Sequence, residues 1–162
     1  MYLRSDRRPS RPPTRRTRCD PRPGGAAPGC DLRGACGNAL VAHPAGKTLQ
    51  IMDITSQQAP QPNPGVVEFD HGGATYRLEA LEGEDGGLFL VFADRPSGHE
   101  SYGAGRYLYT AAPAADGSLL VDFNRAYNPP CVFSAYATCP LPPEENRLPI
   151  RIEAGERRLA EH

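Results

Sequence analysis

Residues 66–93, VVEFDHGGATYRLEALEGEDGGLFLVFA, decide the fold. From Thr75 to Ala80 the chain alternates strictly. Tyr76, Leu78 and Ala80 fall on one side; Thr75, Arg77 and Glu79 fall on the other. A two-residue period marks a strand with one buried face and one wet face. Val66-Val67-Glu68-Phe69 lies upstream across His71-Gly72-Gly73, and glycines between two strand-forming runs predict a tight hairpin. Gly83-Glu84-Asp85-Gly86-Gly87 is a second turn. Leu88 to Ala93 then carries no polar side chain, so it reads as an interior strand covered on both faces.

Downstream, Asp94 to Gly105 is a loop in which Gly98, Gly103 and Gly105 free the backbone. Arg106 to Thr110 reads as a strand, Ala114 to Gly117 as a turn, and Leu119 to Phe123 as a strand pairing back in a second hairpin. Beyond it come Pro129, Pro130, Pro140, Pro142 and Pro143, which lack N–H donors and exclude a helix or central strand. This long Pro-rich loop is stiff, so ordering it costs little entropy. Tyr127, Phe133, Tyr136 and Leu141 give it apolar area to bury, and long ordered loops in compact domains are usually functional. Leu148 to Glu153 alternates again, with Leu148, Ile150 and Ile152 on one face.

Upstream, Thr48 to Asp53 is a weak strand and Ser56 to Pro64, SQQAPQPNP, a polar loop. Ala39 to Ala42 is a short apolar patch closed by His43-Pro44. Residues 1–38 lack periodicity and are rich in Arg, Pro, Gly and Ala; they read as a disordered extension. A start codon placed too far upstream, or a nucleic-acid-binding arm, are the other readings. The segment has no apolar core of a secretory signal. No helical periodicity appears anywhere. The expectation is one all-β domain over residues 39–162, an antiparallel β-sandwich or small barrel carrying a long Pro-rich loop.

The net charge of −1 hides an asymmetry. Residues 1–22 hold eight Arg and two Asp, so about +6, and the remainder holds ten basic and seventeen acidic residues, so about −7. An acidic body argues against nucleic acid or an anionic membrane as partner of the folded part. No apolar run is long enough to span a bilayer. A cytoplasmic protein without a cofactor is expected, with oligomeric state open.

The candidate site gathers Arg106, Tyr107, Asp122, Asn124, Arg125, Tyr127 and Asn128. Residues 106–110 and 119–123 should be hairpin partners, which brings the glycine loop and the DFNRAYN segment together at one end of the sheet. An arginine there would offer a forked donor to a carboxylate or phosphate. The competing reading is that these side chains cap loop backbone and brace it. Cys131 and Cys139 are seven residues apart with no nearby His, a poor fit to zinc spacing, so no metal is expected. Two buried thiols, a disulfide, or a reactive cysteine remain open.

DFNRAYNPPC, CPLPPEENRLP and IEAGER, with SYGAGRYLY and LFLVFAD upstream, resemble a prokaryotic family known as domain of unknown function 1684. The likeness runs from about Gly65 to Arg157, with its blocks in order. Where the family pattern has threonines, this chain has Pro96 and Ser101, which weakens any essential role for a threonine at either position. The resemblance implies an uncharacterised protein and passes on no activity. Within it, His71 and His99 are the available bases for a nucleophilic cysteine. The favoured function is a β-rich binding or structural module whose polar pocket takes a small ligand, anions included. The alternative is a hydrolase-like or transferase-like enzyme using the same pocket, with His99 or Cys131 as the reactive group.

Overall fold

The computed structural model describes residues 36–159. It is all-β and antiparallel, with helical geometry confined to short 3₁₀ turns among the described residues. Strands β1 (Cys36–Ala42), β2 (Thr48–Met52), β3 (Gln58–Pro62), β4 (Gly65–His71), β5 (Ala74–Glu82), β6 (Leu88–Phe92) and β7 (Arg106–Thr110) follow in chain order. Five of them form one sheet in the order β1-β4-β5-β6-β7, while β2 and β3 form a separate ribbon. No helix among the described residues is long and apolar enough to cross a membrane.

The opening stretch behaves as its pattern predicts. β4 and β5 pair from Gly65↔Ala80 to His71↔Ala74, closed by Gly72 and Gly73 at φ 57° and 85°. A two-residue turn with both φ positive matches the strand twist, which is why glycine sits at both positions. Leu78 and Ala80 are fully buried and Arg77 is exposed. β6 lies inside the sheet between β5 and β7. Its Leu88, Leu90 and Phe92 enter one apolar cluster, with Val67, Phe69 and Leu108. Phe89 and Val91 enter another, with Ile51, Leu81, Tyr107 and Cys139. The sheet is therefore covered on both faces: by coil from residues 119–126 and 148–154 on the first, and by the ribbon and the Pro-rich loop on the second.

Three expectations are corrected. Leu119 to Phe123 forms no ladder with β7; Tyr127 does, exchanging both backbone bonds with Tyr107 at 2.9 Å. Leu148 to Glu153 is likewise extended coil. Both segments alternate because Val121, Phe123, Leu148 and Ile152 point into the first cluster, and inward-facing coil mimics a strand's period. The supposed loop at Ser56 to Pro64 contains β3. Prolines suggested a loop, yet Pro60 and Pro62 share one parity. The ribbon's bonded pairs have the other parity, as Asp53 N–H to Gln57 O (2.8 Å) and Asn63 N–H to Lys47 O (3.0 Å) show. The prolines thus sit where no donor to β2 is needed. Within the described residues, β1 pairs Cys36↔Asp70 through Ala42↔Gly65. The expectation for residues 1–35 lies outside the described residues.

β5 and β6 pair only at Leu81↔Phe89 and Glu82↔Leu88. Past that point the Asn146 side chain bridges them. Its Oδ1 accepts from Glu79 N–H (2.7 Å), and its Nδ2 donates to the Glu79 and Val91 carbonyls (2.9 and 2.8 Å). The amide does the work of a missing backbone pair, and Asn146 is 1% exposed.

Candidate functional site

Arg106 opens β7 and points into the first face, 2% exposed. Its Nη2 donates to Asp94 Oδ2 (3.0 Å) and the Ile152 carbonyl (2.9 Å), and its Nη1 to the Ala154 (2.6 Å) and Glu156 (3.3 Å) carbonyls. Asp94 Oδ2 also accepts from Ile152 N–H (2.9 Å), and Asp94 Oδ1 from the Ser97 hydroxyl (3.0 Å). Burial pulls the guanidinium pKa down, and the Asp94 charge opposes it. The guanidinium lies 5.3 Å from the Phe92 ring centroid. Gly105 makes this approach possible: at φ 90°, a Cβ would meet the Phe92 carbonyl at 2.6 Å. Asn128 holds the same tail, taking Glu156 Oε2 on its N–H (2.8 Å) and donating Nδ2 to the Arg157 carbonyl (3.0 Å). Arg106, Asp94 and Asn128 thus form a clamp on residues 152–157.

The other predicted residues lie elsewhere. Tyr127 is opposite Tyr107 in an antiparallel bridge, so Arg125 falls towards Tyr109 while Asn128 falls beside Arg106. Asp122 Oδ1 caps its own 3₁₀ turn, accepting from Asn124 N–H (3.1 Å) and Asn124 Nδ2 (2.9 Å). Arg125 is exposed and lines a shallow cleft of about 310 Å³ with Asp122, Tyr109 and Thr110. Tyr107 and Tyr127 belong to the second face. There Phe89 stacks on Tyr109 (centroids 4.6 Å, 19°), and Tyr127 meets Tyr107 edge-on (5.8 Å, 88°). Burial, then the Tyr109 neighbour, pushes the Tyr127 pKa up to about 12. Burial also raises that of Tyr107, whose hydroxyl donates to the Pro140 carbonyl (2.9 Å). The seven residues are therefore divided among a clamp, a capped turn and an aromatic cluster. Residues 106–110 and 119–123 form no hairpin, so the structure does not gather the seven side chains at one place.

Cys131 and Cys139 do meet: Cys131 N–H donates to Cys139 Sγ at 3.1 Å, and both are free thiols. The Tyr102 hydroxyl lies 3.8 Å from Cys131 Sγ. Burial, then Cys139, raises the Cys131 pKa. Neither His71 nor His99 is hydrogen-bonded to Cys131, whose polar neighbours are Tyr102 and Cys139. Among the described residues no three His, Cys, Asp or Glu side chains cluster to hold a metal ion.

Two groupings escape sequence reasoning. His43 Nε2 lies 3.0 Å from Glu79 Oε2 and 2.9 Å from Lys47 Nζ, and Asn63 Nδ2 donates to Glu79 Oε2 at 2.6 Å. Burial works to raise the Glu79 pKa, but Asn63, His43 and Lys47 outweigh it, and the net shift is downward. This cluster ties the β1–β2 connection to β5. The second is a cleft of about 330 Å³ between the ribbon and the second face. Ile51, Leu81, Phe89 and Pro140 supply its apolar wall; Asp53, Gln57, Gln58, Gln61, Glu82 and Thr138 supply polar groups. The Thr55 hydroxyl and the Gln57 N–H bond Asp53 Oδ1 and hold its pKa below the usual range. No motif announces this cleft, because its lining comes from four separated segments.

The family model described as "Protein of unknown function (DUF1684)" matches residues 35–157. The chain belongs to this family. The match begins beside β1 and ends at Arg157, the residue whose carbonyl Asn128 holds. The DUF1684 chain is also similar to the solution NMR structure of an uncharacterized protein from gene locus rrnAC0354 of Haloarcula marismortui. The TM-score is 0.65 and the identity 31%, over 82% of this chain and 75% of that one. No curated protein matches the DUF1684 chain significantly.

Proposed function

We propose that this DUF1684 protein is a binding module whose site is the cleft between the β2–β3 ribbon and the second face of the main sheet. One observation carries the reading: an apolar wall holding Phe89, ringed by three glutamines, a threonine and two carboxylates, in a hollow of about 330 Å³. Concave, mostly apolar sites with a few polar groups are the usual form of small-molecule pockets. The lining holds Asp53 and Glu82 but no Lys or Arg, so an anion fits it poorly. A neutral polyhydroxylated or cationic ligand fits better, since amides and carboxylates accept from hydroxyls and ammonium groups. The acidic body keeps nucleic acid and anionic membranes out of the partner list.

The test is a titration of ¹⁵N-labelled protein with neutral saccharides, polyols and polyamines, alongside thermal shift. A ligand should raise the melting point and move the amide signals of Ile51, Gln58, Leu81 and Phe89. Shifts confined to Asp122–Arg125, or a response only to phosphate and carboxylates, would overturn the reading.

A further inference from the structure

We infer that Cys131 and Cys139 form a reversible disulfide that closes the base of the Pro-rich loop. The inference is independent of the cleft. The Cys131 amide nitrogen lies 3.1 Å from Cys139 Sγ. That nitrogen is two bonds from the Cys131 Cβ, so the Cys139 sulfur already lies against the base of the Cys131 side chain. A disulfide needs the sulfurs about 2.05 Å apart and no backbone movement if the Cα atoms are already close.

The backbone on both sides is fixed. Pro129 and Pro130 lead into the 3₁₀ turn Pro130–Val132 that carries Cys131. On the other side, the Cys139 carbonyl accepts from Ile54 N–H (2.9 Å), and Leu141 N–H donates to the Met52 carbonyl (2.7 Å). Between them the loop rises into solvent, with Phe133 67% and Tyr136 96% exposed. The thiol pair therefore sits where two anchored ends meet beneath a projecting loop.

Exposure sets the order of events. Cys131 is half-buried and Cys139 buried, so Cys131 reacts first. Its thiolate attacks one sulfur of a low-molecular-weight disulfide of the glutathione class, forming a mixed disulfide and expelling one small thiolate, which takes up the Cys131 proton. The Cys139 thiolate then attacks the Cys131 sulfur, forming the protein disulfide and expelling the second small thiolate, which takes up the Cys139 proton. Two electrons pass from the protein thiols to the external disulfide. The raised Cys131 pKa makes the first step slow at neutral pH and faster as pH rises.

Trypsin supplies a clean readout, because residues 126–147 form one peptide containing both cysteines and neither Cys19, Cys30 nor Cys36. After the native full-length protein is incubated with oxidised glutathione, this peptide should be about 2 Da lighter and resist alkylation until reduced. The melting point should rise by roughly 5 °C, reversibly with reductant. Cys139→Ser should retain glutathione on Cys131, whereas Cys131→Ser should stay unmodified at Cys139. Two alkylatable thiols after oxidation, or linkage of Cys131 to Cys19, Cys30 or Cys36, would overturn the inference. The wild-type mapping decides the matter even if a variant fails to fold.

Discussion

On the first face of the main sheet, Arg106 and Asp94 are sealed inside and bonded to the carbonyls and amide of residues 152–156. On the second face, Gln58, Gln61, Glu82 and Thr138 line an open cleft. The first set spends its hydrogen-bonding capacity on the chain itself; the second keeps capacity for something else. Charged, motif-like residues can thus belong wholly to architecture, while binding-ready groups come from plain sequence such as Gln57-Gln58-Ala59-Pro60.

Four experiments probe that contrast. Arg106→Ala strands a buried carboxylate and three carbonyls, and should cost about 4 kcal/mol in urea denaturation. A loss under about 1 kcal/mol would remove the clamp from the architectural side. Next comes Asn146→Ala, expected to cost about 3 kcal/mol by orphaning one buried N–H and two carbonyls across β5 and β6. Amide exchange should quicken at Glu79 and on the neighbouring β6 backbone.

The third is a pH effect. The folded pKa of Glu79 lies below that of an ordinary glutamate, so its stabilisation is present above the unfolded pKa and is lost as pH falls through the folded one. Glu79→Gln should therefore lose stability near neutrality and show a shallower acid limb. An unchanged acid limb in denaturation midpoints would show that another group carries it. Smallest is Gln58→Ala in the cleft, which should change stability by no more than about 0.5 kcal/mol while weakening any ligand that shifts the Leu81 and Phe89 amides. A large folding cost there would erase the distinction between the faces.

The hairpin of β4 and β5 and the interior position of β6 were readable because a buried sheet face imposes a period of two on side chains. That same rule misled at Val121–Phe123 and Leu148–Ile152: coil pressed on a core also alternates, and nothing in residue type reports whether the backbone is paired. β3 was hidden by its prolines and its full exposure. The pairing of Cys131 with Cys139 was open as one of several readings because loop closure depends on where the anchors lie. Whether Arg106 binds a ligand or braces a loop stayed open, because sequence carries the charge of a side chain but not its burial. The ribbon cleft was invisible, since its walls meet only after the Pro-rich loop has docked on β2.

The proline parity in β3 has a consequence for how these molecules behave in a crowd. The outer edge of the ribbon offers no N–H at positions 60 and 62, so a second chain has no unbroken row of donors to zip onto. Elsewhere the Gly117 carbonyl takes Leu40 N–H along β1, and Tyr127 shields β7. Replacing Pro60 and Pro62 by threonine would restore the row, and sedimentation should then reveal edge-to-edge association that grows with concentration.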